Sequence, residues 1–183
     1  MTAMDTLRGS LLIAGPKLFD PNFRRTVVLI GEHNVEGAIG VVLNRSSGVS
    51  VSEAAPALSP LVGEEAGLFL GGPVEVEGAV VLADFEEPEM AGLLAFGSIG
   101  FLIGDVPAEA ATGIRRARVF AGYAGWGEGQ LERELEDDSW IVEPATPEDV
   151  FTDDPEGLWS GILRRKGPKY RLLSTMPFDP SLN

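Results

Sequence analysis

The segment Arg118-Val-Phe-Ala-Gly-Tyr-Ala-Gly-Trp-Gly-Glu-Gly-Gln-Leu131 passes from an apolar run into a glycine-rich turn. The run at 119–123 is typical of a short buried strand. Three glycines within residues 125–129 indicate a backbone that turns sharply or is approached closely by another group. Trp126 in that turn supplies a large flat surface that is either buried or open to a partner. We expect a buried strand here, followed by a turn and a short charged helix.

Further strand signals lie on both sides of this segment. Short apolar or β-branched runs occur at 10–14, 26–30, 38–43, 68–70, 79–83, 101–103 and 140–142. A turn around Asn34 and Gly37 joins the second and third of these runs, so we predict a β-hairpin there. Because several strands are apolar on both faces, the sheet must be covered twice or curled into a partial barrel.

Helix signals fall outside these strands. Ser50 and Glu53 have the spacing of a capping box, and Pro147 and Pro155 each follow a residue suited to begin a helix. We therefore expect an α+β fold: a mixed, mostly antiparallel curled sheet, forming a partial barrel, flanked by short helices. The 183 residues fit a single domain, 1–183, with a proline-rich C-terminal tail from about residue 168 and a candidate edge strand at 171–173.

The composition excludes several kinds of site. There is no cysteine and only one histidine, His33, which excludes disulfides, thiolate catalysis and histidine-based metal clusters. We therefore expect no metal and no cofactor. No apolar run approaches the roughly 20 residues that span a bilayer, so we expect no membrane partner. A cysteine-free chain fits the cytosol, and we predict a cytoplasmic protein.

The net charge of −14 is unevenly distributed. Residues 46–114 contain no Lys or Arg and eleven Asp or Glu. Because DNA would be repelled by the molecule as a whole, nucleic acid is an unlikely partner.

No catalytic set emerges from the motifs. Ser98 in Gly97-Ser-Ile-Gly100 resembles a nucleophile elbow, but Phe96 stands where the first glycine belongs. Its only histidine partner would be His33, and nothing in the sequence places the two together. The glycines at 125, 127 and 129 match neither the dinucleotide-binding pattern nor a P-loop. We therefore assign no catalytic residue.

The predicted hairpin brings polar residues together at its open end. If residues 34–37 form the turn, positions that sum to about 70 face each other, which places Arg25 beside Arg45 and Asn44 beside Thr26. This end lies roughly 25 Å from His33 along the strand, at about 3.3 Å per residue, so we interpret His33 as part of the turn. The basic patch suits a carboxylate or phosphate ligand, and the alternative is a set of salt bridges to the many Asp and Glu residues.

Trp126 and Gln130 complete the predicted site. We predict that Trp126 packs against the patch of Arg25, Asn44 and Arg45 and forms one wall of the main pocket, with Gln130 at its rim. The alternative for Trp126 is an ordinary core position.

Several motifs occur together in this chain: Asp20-Pro-Asn-Phe-Arg-Arg-Thr-Val-Val28, Gly40-Val-Val-Leu-Asn-Arg45, Gly71-Gly-Pro-Val74 and Gly122-Tyr-Ala-Gly-Trp-Gly127. In this order they resemble the AlgH/YqgE family of small, largely uncharacterised bacterial proteins, over residues 8–165. The resemblance implies a single α+β domain with a curled sheet, and its name suggests transcriptional regulation without supplying an accepted activity. Two departures are Ser46, where members often carry proline, and the lack of cysteine, which excludes redox roles through a family cysteine.

We expect a non-enzymatic domain that binds a small anion or a protein partner and acts in regulation. The alternative is a metal-independent enzyme that acts on a small anionic substrate. A third hypothesis, a DNA-binding regulator, needs a basic recognition helix, and the sequence contains none.

Overall fold

The computed structural model describes residues 6–176. Ten strands form its sheet: β1 (Ser10–Ala14), β2 (Val27–Asn34), β3 (Gly37–Val42), β4 (Ser46–Ser50), β5 (Gly67–Leu70), β6 (Val74–Phe85), β7 (Leu93–Phe96), β8 (Ile99–Leu102), β9 (Ile114–Trp126) and β10 (Trp140–Pro144). The helices of this part of the chain are α1 (Val51–Ala54), α2 (Ser59–Val62), α3 (Gln130–Glu136), α4 (Pro147–Val150), α5 (Leu158–Lys166) and α6 (Pro168–Ser174). Short 3₁₀ helices occupy Pro56–Leu58, Pro88–Met90 and Ala108–Gly113.

The main path of the sheet runs β10-β1-β2-β3-β9-β6-β8-β7, with every neighbouring pair antiparallel. β5 adds a parallel pairing with β9 and an antiparallel pairing with β4. The sheet curls until β7 contacts β2, although no ladder among the described residues joins them. The predicted fold class is therefore confirmed: an α+β fold with a mixed, mostly antiparallel sheet in the form of an open barrel.

The β2–β3 hairpin has the predicted register over its open half. Val28 faces Val42 and Ile30 faces Gly40, whereas beyond a bulge at Gly31 the pairing moves by one residue, so that His33 faces Ala38. A Cβ at Gly31 would lie 2.6 Å from the ring of Phe101. Glycine is therefore needed where this aromatic side chain packs directly on the bulged strand.

β9 is the central strand, since it pairs with β3, β5 and β6. It is longer than the predicted run and includes Trp126 as its last residue, so the turn begins at Gly127. The core lies on both faces of this strand. Val119 packs with Val51 and Val81 on one side, whereas Phe120 and Leu82 belong to the larger cluster that includes the buried side of α5. This explains why the strands are apolar on both faces.

The local structure differs from the prediction at three elements. The predicted edge strand at 171–173 is wrong, because these residues belong to α6, and the rest of the proline-rich tail (177–183) lies outside the described residues. β4 and β7 were not predicted, since each is short and β4 is largely polar. Within residues 6–176 no helix combines the length and apolar character that a membrane crossing requires.

Candidate anion-binding site

Asn44 holds the open end of the hairpin together through its side-chain amide. Its Oδ1 accepts a hydrogen bond from the Val27 N–H at 2.9 Å, and its Nδ2 donates to the Arg25 carbonyl at 2.9 Å. The amide thus continues the β2–β3 ladder as a peptide group would. Its role in this structure is to fix the strand end, with both ends of the amide engaged.

Arg45 lies next to Asn44, and main-chain carbonyls fix its guanidinium. Nη1 donates to the Asn22 carbonyl, and Nη2 donates to the carbonyls of Pro21 at 2.8 Å and Arg24 at 3.1 Å. A guanidinium has five N–H donors, so these carbonyls leave two of them unused. Within residues 6–176 no carboxylate lies at ion-pair distance from Arg45.

The charge of Arg45 is therefore balanced mainly by carbonyl dipoles, and the predicted salt bridge is not seen for this residue. Burial lowers the pKa of Arg45 from its ordinary value, while the nearby charge of Asp20 acts in the opposite direction. Arginine nevertheless keeps its charge at neutral pH. Arg45 is therefore a cation held in place by main-chain carbonyls, and the negative charge of Asp20 acts on it through space.

Arg25 shares the strand end but points elsewhere. Its guanidinium lies over the ring of Trp159, 5.0 Å from the centroid, and donates to the carbonyl of Met176. Burial lowers the pKa of Arg25, and the charge of Arg24 acts in the same direction. The sequence correctly placed Arg25 near Asn44 and Arg45, but Arg25 and Arg45 face different surroundings.

Trp126 belongs to the core. It is 5% exposed, and the ring centroids of Phe23 and Trp140 both lie 6.0 Å from its own. Its indole Nε1 donates to Oε2 of Glu134 at 2.8 Å. The predicted shared site is therefore wrong: Trp126 is sealed among aromatic rings, and the pocket that it does border contains Glu32 and Glu36 and not Arg45.

Gln130 also has a structural role. Its Oε1 accepts the Gly127 N–H at 3.0 Å, and its Nε2 donates to Oε1 of Glu134 at 3.2 Å. The side chain thus closes the turn before α3. It does not line the pocket that contains Arg45.

His33 and Ser98, the two residues considered for catalysis, have separate partners. His33 Nδ1 accepts the Leu7 N–H at 3.0 Å and its Nε2 donates to Oε1 of Glu132 at 2.6 Å, which the sequence did not reveal. Ser98 Oγ donates to Oδ1 of Asp84 at 2.6 Å, and the same carboxylate forms ion pairs with Arg115 and Arg116. Since neither residue is a hydrogen-bond partner of the other, they do not form the pair of nucleophile and base that a catalytic triad needs.

A pocket of about 220 Å³ opens in front of Arg45. Its lining residues are Asn22, Val42, Arg45, Leu70, Gly72, Pro73, Val76 and Ala121. Gly72 can form part of the wall because it has no side chain: a Cβ there would lie 2.2 Å from the main chain of Tyr123, and its φ is +152°. Arg45 is the only charged residue of this lining, and Asn22 is the only other one with a polar side chain.

A larger pocket of about 330 Å³ lies in the mouth of the curled sheet. Strands β2, β3, β6, β7, β8 and β9 all contribute to its lining, and Tyr123 is the one lining residue whose side chain carries a polar atom. It can hold apolar groups but offers little to orient a ligand. No group of three or more His, Asp or Glu within residues 6–176 is arranged to hold a metal ion.

Comparison with known proteins decides the family. The sequence pattern of the AlgH-like family matches residues 11–171. The chain belongs to the AlgH-like family. Among its relatives, a UPF0301 protein of Streptomyces avermitilis is 42% identical over 190 residues, which cover 100% of this chain and 98% of the relative. A UPF0301 protein of Mycobacteroides abscessus is 43% identical over 96% of this chain and 87% of its own length.

Solved structures agree with this assignment. A crystal structure of a Corynebacterium diphtheriae protein superposes with a TM-score of 0.83 at 30% identity, covering 96% of this chain and 95% of that one. The solution structure of the AlgH protein from Pseudomonas aeruginosa gives a TM-score of 0.72 at 34% identity, with 97% of each chain covered. The resemblance predicted from the motifs is confirmed. These names state no activity, so the function has to be argued from the site.

The Arg45 pocket also brings together segments that carry the resemblance. Asn22 comes from the Asp20-Pro-Asn motif, Arg45 closes the Gly40–Arg45 motif, and Gly72 and Pro73 come from the Gly-Gly-Pro motif. The sequence predicted Arg45 as a candidate ligand-binding residue but did not indicate that the Gly-Gly-Pro motif lines the same pocket. The signal available was the glycine pair itself, which indicates close approach of two backbones.

Proposed function

We propose that this protein is a non-catalytic, cytoplasmic binding domain that takes a small anion in the pocket of Arg45 and uses this binding in regulation. One observation carries the proposal: a partly buried guanidinium, held by three main-chain carbonyls, lines a cavity, and two of its N–H groups donate to no described group of the protein. A cation that is already oriented loses little conformational entropy when it binds an anion.

The surroundings of Arg45 support this proposal. The amide of Asn22 offers further hydrogen-bond donors at the pocket wall, and Leu70 and Val76 add apolar side chains to it. Asp20 opposes an anion, and its charge should favour a singly charged ligand over a doubly charged one. An enzyme acting on an anionic substrate has less support, since neither polar side chain of the lining, Asn22 or Arg45, is a suitable general base.

The test is titration of the protein with sodium acetate and inorganic phosphate, followed by NMR chemical shifts, with neutral acetamide as the comparison ligand. Acetate should bind, and acetamide should bind much more weakly. Arg45→Gln should weaken acetate binding at least about tenfold, since a charged hydrogen bond contributes roughly 1.5–3 kcal/mol. Arg164→Gln, which removes an exposed arginine of α5, is the matched control and should leave acetate binding unchanged.

Asp20→Asn should strengthen acetate binding a few-fold, because it removes the opposing charge and keeps an oxygen that can accept the Asn22 N–H. Equal acetate binding by the wild-type protein and by a folded Arg45→Gln variant would overturn the proposal. Acetamide that binds as well as acetate would do the same.

A further inference from the structure

A second chamber lies next to the Arg45 pocket. This chamber, of about 160 Å³, shares Val76 and Ala121 with the Arg45 pocket and extends to Ala55, Leu68 and Phe120. The side chains that line it are apolar except for that of Glu77, and polar main-chain atoms also contribute to its surface. The two cavities therefore adjoin at Val76 and Ala121, and we refer to the pair as the groove; Arg45 lines one of them, and mainly apolar side chains line the other.

The chain builds this groove by interrupting the pairing of β6 with β9. Val74 faces Tyr123 and Ala79 faces Ala121. Residues 75–78 of β6 therefore leave the ladder as a four-residue bulge. Glu75 adopts a left-handed φ of 48° in this bulge, an uncommon conformation for a residue other than glycine. The bulge carries Val76 to the junction of the two cavities, where its side chain is 57% exposed. An apolar side chain in this position gains burial when a ligand passes beneath it.

The charges fix the orientation of such a ligand. Arg45 is the only cation that lines the two cavities, so an anionic head group belongs at that end. Glu77 borders the second chamber and disfavours a second anionic group there. The negative charge of Asp20 favours a ligand with a single negative charge at Arg45. A carboxylate therefore suits this position better than a doubly charged phosphate.

We infer that the ligand class of this groove is a monocarboxylate with an unbranched apolar chain, whose carboxylate pairs with Arg45 and whose chain runs past Val76 toward Phe120. This inference rests on the proposed anion binding at Arg45 and adds the nature of the rest of the ligand. The second chamber has room for about five methylene groups, each taken as similar in volume to a water molecule.

The experiment measures the affinities of the sodium salts of acetate, butyrate, hexanoate and octanoate. Affinity should rise about three- to fourfold for each added methylene, the factor that corresponds to burial of one CH₂, and should level off between hexanoate and octanoate. Ala55→Leu fills the second chamber and should remove this dependence on chain length while changing acetate affinity less than about twofold. Ala57→Leu, at an exposed position of the neighbouring 3₁₀ helix, is the matched control and should keep the dependence.

Ala121→Val narrows the junction on a strand that favours β-branched residues, and it serves as a second variant if Ala55→Leu does not fold. Acetate binding that depends on Arg45 but does not increase with chain length overturns this inference and leaves the proposed function intact. Persistence of the chain-length effect in folded variants with a filled chamber also overturns it. If none of the four carboxylates binds, this inference fails, and the proposed function fails with it only if inorganic phosphate does not bind either.

Discussion

Glu134 connects two buried tryptophans through one oxygen atom. Its Oε2 accepts hydrogen bonds from Nε1 of Trp126 and Nε1 of Trp140, both at 2.8 Å, and each tryptophan is 5% exposed. Oε1 of the same carboxylate receives Gln130. Since buried indole N–H groups need an acceptor, this single side chain satisfies the polar atoms of two large core residues.

Replacing Glu134 by alanine should therefore be costly. Glu134→Ala leaves two buried donors without an acceptor, and at about 1–3 kcal/mol for each of them the free energy of unfolding should fall by roughly 2–6 kcal/mol. Urea denaturation measures this difference. Glu136→Ala, at an exposed position of the same helix, is the control and should change stability by less than about 0.5 kcal/mol. Similar unfolding midpoints for the two variants would contradict the role assigned to Glu134.

The residues of the candidate site show how much of it could be predicted from the sequence. Asn44 and Arg45 could be placed at one strand end because a short turn determines which residues face each other in a hairpin. Register does not determine what a polar side chain binds, so the main-chain partners of both residues were not predicted. The burial of Trp126 depends on Phe23 and Trp140, which come from distant parts of the chain. The sequence alone does not show that these three rings lie close together in the fold.

At the scale of elements, burial on both faces made most strands predictable. β1, the β2–β3 hairpin, β9 and β10 coincide with apolar runs, because a strand covered on both sides needs apolar residues in succession. β4 is exposed along much of its length and is held by its pairing with β5, so its polar composition carries no strand signal. The extra length of β9 was missed for a related reason, since Arg115 and Arg116 interrupt its apolar pattern.

The hydrogen bond between His33 and Glu132 links β2 to α3 and gives a prediction about pH. This bond is the largest cause that holds the pKa of Glu132 below its ordinary value of 4.5. Since the pKa is lower in the folded state, the contribution of Glu132 to stability is complete above the unfolded-state pKa and is lost as pH falls through the folded-state pKa. Glu132→Gln should thus be less stable than the wild-type protein at neutral pH, and the difference should shrink below about pH 4.5.

Urea denaturation between neutral pH and about pH 3 follows this difference. Glu128→Gln removes one negative charge from the exposed turn before α3 and controls for the change in net charge. Its difference from the wild-type protein should not show the same dependence on pH. A stability gap for Glu132→Gln that widens as the pH is lowered would contradict the assigned contribution.

At the scale of the whole molecule, the described ion pairs compensate several of the few positive charges. Arg115 and Arg116 pair with Asp84, Arg165 pairs with Asp149, and Lys166 pairs with Glu143. Arg118 is partly buried between the rings of Phe69 and Phe151 and donates to the carbonyls of Val150 and Thr152. The basic side chains of β9 and α5 are thus largely occupied inside a chain of net charge −14.

This charge distribution predicts that the protein does not bind DNA specifically. A DNA-binding surface releases counterions by placing several unpaired Lys or Arg side chains against phosphates, and the molecule as a whole repels a polyanion. We expect no sub-micromolar complex at about 0.15 M salt, whereas specific DNA-binding proteins reach roughly 10⁻⁸ M or tighter under such conditions. Gel-shift assays with a pool of random duplexes, repeated with 10 mM octanoate in case a ligand is needed, provide the measurement. A salt-sensitive, sequence-selective complex in either condition would overturn this prediction and would place DNA-binding regulation ahead of the other hypotheses.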